Sequence, residues 1–293
     1  MMDLIKEVIC LKDFEEIYNK IYFKFKDKIE EINNNQKEIK KQALFKMIKF
    51  AIIIAIIFLV LILVTKNMEL LALLIFVPGP LMLYYFSARG NKIRTTELDI
   101  DTDKIQEQIH KDVISDCFNG LQYNGKQGIS SEIYDKGRYG NYNKYYSEDR
   151  IEGILKSKNG HRIEMSYIAT SRGSTSRDNF IWTFRGYFLV VELNKSTKLQ
   201  VKINEEKIEY LDNQGSIEEN NVMLYNIQNI LKQFKEKNKI ASDVTICYDK
   251  LYIRFLTNEF VYNILNKDSL KKYYNGITEI INLTSEILKN IDE

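Results

Sequence analysis

Apolar residues follow three different rhythms along this chain. Over Phe14, Tyr18, Ile21, Phe25, Ile29, Ile32, Gln36, Ile39 and Ala43, apolar or neutral positions recur every three or four residues. That is the helical period, and it predicts a helix from about Leu11 to Ala43. No Pro or Gly interrupts it; Asn33, Asn34 and Asn35 are its weakest point. Two unbroken apolar runs follow, Phe50 to Thr65 and Leu70 to Ala88, separated only by Lys66, Asn67, Met68 and Glu69. Beyond Asp149 the rhythm becomes alternation, as in Ile163, Met165, Tyr167 and in Phe180, Trp182, Phe184, which predicts strands.

The two apolar runs predict a membrane hairpin. A bilayer core is roughly 30 Å thick and takes about 20 apolar helical residues to span. The first run is slightly short, but Lys49 and Lys66 bracket it and can snorkel to the headgroups. A cleaved signal peptide would start at once and end at a small-residue site, whereas a long charged stretch comes first here. A buried helical hairpin in a large soluble core is the other alternative. Basic residues flank the runs on one side: Lys37, Lys40, Lys41, Lys46 and Lys49 before, Arg89, Lys92 and Arg94 after. The positive-inside rule then puts both termini in the cytoplasm of a bacterial inner membrane. Pro78, Gly79 and Pro80 break the second run. They read as a kink packed on the first helix, or as a broken helix lining a pathway. Neither run carries an ionisable residue, which ion and substrate pathways usually need.

The expected organisation is a cytoplasmic amphipathic stalk over 1–49, the hairpin over 50–88, a return stalk helix over 89–119 and a cytoplasmic α+β domain over 120–293. Ile105, Ile109, Val113 and Cys117 share one helical face and offer a partner for the first stripe, within the chain or, as a coiled coil, between chains. From Gly120 to Tyr146, glycines punctuate a stretch rich in Tyr, Asn and Ser, expected to be a long loop or hairpin tip. Within it, Arg138, Tyr139, Tyr142, Tyr145 and Tyr146 form a candidate partner-binding loop, whose aromatic and basic composition also suits stacking on single-stranded nucleic acid. FLVVEL and LQVKI then read as strands of an antiparallel sheet with one covered face. The expected cover is a helix with Val222, Tyr225, Ile227, Ile230, Leu231 and Phe234 on its apolar face. VTICY and LYIRF form a hairpin turning at Asp249-Lys250, and a final helix runs from about Asp268 to Ile291.

Composition narrows the function. The formal net charge is +2, so no global field favours nucleic acid. Cys10, Cys117 and Cys247 are isolated, which suits a reducing compartment, and nothing has zinc or other cofactor spacing. The chain contains neither a phosphate-loop motif nor a nucleophile elbow. His110 and His161 read as surface residues, and Glu148, Asp149 and Glu152 as a solvated acidic cluster or, alternatively, an acid–base pair.

The elements YSEDRIEG (Tyr146 to Gly153), FRGYFLVVELNK (Phe184 to Lys195) and VTICYDKLYIRF (Val244 to Phe255) occur in an order that resembles the bacterial membrane family DUF3137. The resemblance covers most of the chain and departs from the family in the stretch Tyr134 to Tyr146 and in the C-terminal helix. It implies an N-terminal helix, a membrane hairpin and a cytoplasmic α+β domain. It also implies a LemA-type membrane protein as a partner, and it transfers no catalytic residue. The leading expectation is a non-enzymatic, membrane-anchored scaffold, partner-binding or sensing module. The alternatives are a membrane-bound enzyme acting on a phosphorylated or lipid substrate and a homo-oligomeric channel or transporter component.

Overall fold

The computed structural model describes residues 13–65, 97–155, 159–173, 181–211, 221–257 and 266–292. The chain divides into two compact units, one of Met1–Ile21 with Gln106–Glu293 and the other of Tyr22–Ile105.

The first unit is α+β. Its eight strands are β1 (Leu121–Asn124), β2 (Lys144–Leu155), β3 (His161–Arg172), β4 (Ile181–Glu192), β5 (Gln200–Asn204), β6 (Ile208–Tyr210), β7 (Ala241–Cys247) and β8 (Lys250–Leu256). They form one antiparallel sheet in the order β1-β2-β3-β4-β8-β7-β5-β6. The β7–β8 hairpin inserts between β4 and β5, so β4 and β8 are central. Val244 pairs with Ile253 and Ile246 with Leu251, as alternation requires. The turn is Tyr248-Asp249, one residue earlier than expected, with Tyr248 at φ 56°.

The helices are α1 (Phe14–Thr65), α2 (Glu97–Cys117), α3 (Ser131–Lys136), α4 (Asn221–Asn238) and α5 (Lys267–Asp292). In the first unit, α4, α5 and the end of α2 share one sheet face, and the start of α1 packs on α5. Phe234 of α4 meets Phe255, and His110 of α2 meets Tyr123 of β1. Phe14 and Phe118 both meet Tyr274 of α5. All the residues expected on the apolar stripe of α5 are buried. On α4 the buried residues are Leu224, Ile227, Leu231 and Phe234, whereas Val222 and Tyr225, expected inward, are exposed. On this part of α1 the buried positions are Phe14, Ile17 and Ile21, with Tyr18 of the expected stripe half-buried.

The other sheet face is covered as well, which corrects the expectation of one covered face. Ile129, Tyr134 and Tyr139 pack on Ile168, Phe184, Phe188, Val190 and Tyr252. The stretch Gly120 to Tyr146 is thus not a long loop but β1, α3 and a packed cap. Tyr134 is fully buried at its centre, with ring centroids 5.0 Å from Phe188 and 5.5 Å from Tyr139. Burial on both faces explains why β4 reads as the continuous apolar run FLVV rather than as alternation.

The second unit contains most of α1, which is helical without a break through Asn33–Asn35. Phe25, Ile29 and Ile32 are buried on its expected stripe, while Ile52, Ile53, Ile56, Ile57, Val60 and Leu63 are exposed. Among the described residues, no helix is long and apolar enough to cross a membrane. The described apolar part of α1, Phe50–Thr65, covers about 24 Å at roughly 1.5 Å per residue. The second run, with Pro78, Gly79 and Pro80, and the basic residues Arg89, Lys92 and Arg94 lie outside the described residues.

Candidate ligand site

Beneath α2 and α5, at the β1–β2 edge, the first unit gathers a polar cluster on the helix-covered face. β2 carries an irregularity between Glu148 and Ile151, where its register against β3 shifts. Such bulges re-aim side chains and are enriched beside functional sites. Asp149 occupies this bulge at φ 58°, a left-handed conformation that Asp and Asn tolerate better than most residues. Its backbone N–H donates to the Gly125 carbonyl at 3.4 Å. Its carboxylate accepts a short hydrogen bond from the Tyr123 hydroxyl.

His110 lies against both tyrosines of the cluster, with ring centroids 5.2 Å from Tyr123 and 4.4 Å from Tyr273. Glu107, one helical turn before His110, comes close to the Tyr123 hydroxyl. A Cβ built on Gly125 would lie 2.9 Å from that hydroxyl and 3.2 Å from the Glu107 Cγ. Tyr187 of β4 closes the floor, in edge contact with Tyr167 at 5.9 Å.

The electrostatics follow from burial without a counter-charge. Burial raises the Asp149 carboxyl to about 6; the Tyr123 hydrogen bond lowers it, and Glu148 and Glu107 raise it further. Burial also drives His110 down to about 4, so its ring is neutral near pH 7. Tyr273 is held well above the ordinary phenol value by burial, and then by Tyr123 and Asp149. Two deeply buried polar atoms of the cluster, His110 Nδ1 and Tyr273 Oη, have no hydrogen-bond partner among the described residues. Orphaned polar groups of this kind are rare in folded proteins and call for an explanation.

His110 and His161, expected at the surface, are both buried, His161 completely. His161 Nδ1 lies 3.1 Å from the Glu192 carbonyl and Nε2 lies 3.0 Å from the Asp292 carboxylate, which ties the end of α5 to the sheet. The acids divide. Asp149 enters the cluster and Glu148 accepts from the exposed Tyr146 hydroxyl, whereas Glu152 pairs with Arg150 at 2.8 Å. Tyr123, Tyr187 and Tyr273 join the site only through tertiary structure. His110 did carry a local signal, because it precedes Val113, Ile114 and Cys117 by three, four and seven residues and so shares their buried face.

The candidate partner-binding residues mostly turn inward. Arg138 is exposed at φ 62°, while Tyr139 is buried between two cations. The Arg254 guanidinium lies 3.9 Å, and Lys202 Nζ 4.6 Å, from its ring centroid. Tyr142 and Tyr145 are half-buried, donating to Asp135 at 3.0 Å and to the Ile129 carbonyl at 2.7 Å. Only Arg138 and Tyr146 of the five remain exposed. Lys46 and Lys49 are exposed on α1, with Lys49 over the Phe45 ring at 4.7 Å.

Set against protein-family models, curated proteins and solved structures, the chain matches none of them. Among the described residues, no group of three or more His, Cys, Asp or Glu side chains is arranged to hold a metal ion.

Proposed function

We propose that this is a membrane-anchored protein whose α+β unit works in the cytoplasm as a sensing or partner-binding module, without turnover chemistry. The observation that carries this reading is the exposed apolar surface of α1. Ile52, Ile53, Ile56, Ile57, Val60 and Leu63 remain uncovered on a helix with no charged residue between Phe50 and Thr65. A helix that is apolar all round belongs in a protein core or in lipid. A membrane hairpin completed by Leu70 to Ala88, with its kink at Pro78-Gly79-Pro80, gives these side chains that environment. The architecture this implies is the one suggested by the resemblance to DUF3137, with a LemA-type membrane protein as an expected partner. A non-enzymatic role fits a site built mainly of buried aromatic rings around the Asp149 carboxyl.

Membrane flotation of the full-length chain tests the anchor. The protein is expected to float with vesicles and to resist alkaline carbonate extraction. A variant with Ile53, Ile56 and Val60 all replaced by Lys is expected to lose both properties. Full extraction of the unaltered chain by carbonate would overturn the membrane reading.

A further inference from the structure

We propose that the polar cluster around Tyr123 and Asp149 binds a small primary ammonium group. Asp149 supplies its counter-charge, and His110 Nδ1 and Tyr273 Oη accept its remaining hydrogen bonds. This inference concerns only the first unit and stands independently of the membrane anchor.

Three observations converge on this ligand. The first is charge. Asp149 is a largely buried carboxyl whose neighbouring charges, Glu148 and Glu107, both repel its negative form. Tyr123 gives Asp149 a hydrogen bond but no counter-charge, and a buried carboxylate without a counter-charge is costly, so it either takes a proton or takes a cation. The second is the pair of orphaned atoms. His110 Nδ1 and Tyr273 Oη have no hydrogen-bond partner among the described residues, and their rings lie tilted to each other with centroids 4.4 Å apart. A neutral imidazole protonated on Nε2 offers Nδ1 as an acceptor, and a phenol oxygen also accepts. An ammonium group has three N–H donors, matching one carboxylate and two such acceptors. The third is the wall. Tyr123, Tyr273 and His110 present aromatic rings, whose negative faces attract a cation. A divalent metal ion fits less well, because no cluster of metal-ligating side chains exists among the described residues. Access is from the Tyr123 side, where Tyr123, Glu107 and Asp149 are each half-buried.

The test is calorimetric titration of the full-length protein in detergent with ethylammonium chloride at pH 7.5, against sodium chloride and ethanol. Two variants accompany it. Asp149→Asn removes the charge and retains a residue that accepts a positive φ. Tyr273→Phe removes only a hydroxyl that has no hydrogen-bond partner among the described residues, so its melting temperature is expected to hold or rise. Ethylammonium is expected to bind the unaltered protein, ethanol is not, and both substitutions are expected to weaken binding about tenfold, the loss of one charge-assisted hydrogen bond. Absent ethylammonium binding, equal binding of ethanol, or affinity unchanged in Tyr273→Phe would each overturn the proposal. If Asp149→Asn does not fold, the ethanol control and Tyr273→Phe still decide it.

Discussion

Asp149 and His110 share one cluster, and burial moves them in opposite directions with opposite consequences for stability. The Asp149 carboxyl is raised in the folded state, from 3.8 to about 6. Its contribution is complete below the unfolded value and is lost as pH rises through about 6. The imidazole is lowered from 6.5 to about 4. Its contribution is complete above the unfolded value and is lost as pH falls toward 4. Each shift corresponds to roughly 3 kcal/mol. Between pH 4 and 6 the two slopes oppose, so the cluster is expected to leave stability nearly flat there. Asp149→Asn removes one arm, and stability should then rise with pH across this window. His110→Gln removes the other, and stability should fall. Urea unfolding midpoints at half-unit pH steps would check both signs. Parallel profiles for all three proteins would show that neither group titrates with folding.

The cap formed by α3 and the chain to Tyr145 is locked onto β7 and β8 through Arg254. Its guanidinium bonds Asp243, with Nε 3.0 Å from Oδ1, and its other face stacks on Tyr139. Burial opposes this charge, but Asp243 outweighs it and holds Arg254 firmly protonated. Thr245 completes the contact by donating to the Gly137 carbonyl at 3.1 Å. Arg254→Ala would strand a buried carboxylate, so it is expected to cost about 3–5 kcal/mol in chemical denaturation. The double variant with Asp243→Ala should recover part of that loss, and a loss of less than 1 kcal/mol in the single variant would refute this role for the pair. This cap marks where sequence reading stopped. The α5 stripe and the β7–β8 hairpin were legible because neighbours a few residues apart set their periods. The inward turn of Tyr139 was not, because its partners Arg254 and Lys202 lie far along the chain and no local period points to them. The same holds for the ligand cluster. Glu148 and Asp149 stood out as acids, but the bulge that separates them arises from register with β3, which no stretch of β2 encodes alone.

The proposed membrane anchoring would make a demand on the entire chain that local packing cannot meet. The basic residues cluster before Phe50 and after Ala88, while the turn between the two apolar runs holds only Lys66, offset by Glu69. Translocating either flank would carry many charges across the bilayer, whereas translocating the turn carries few. A hairpin also returns the chain to the side on which it began. Gln106–Glu293 and the start of α1 build one compact unit, and the proposed hairpin would let them meet in one compartment. A single crossing would separate Phe14 from Tyr274, whose rings lie 5.7 Å apart. For a chain anchored as proposed, the fold thus requires an even number of crossings before any appeal to charge, and charge would then choose the side. In a background with all three cysteines replaced by Ser, an Asn67→Cys variant is expected to react with a membrane-impermeant maleimide in intact cells. Lys41→Cys and Lys232→Cys should react only after lysis. Labelling of Asn67→Cys and Lys232→Cys from the same side would exclude the hairpin, and the fully inverted pattern would keep the hairpin but reverse its orientation.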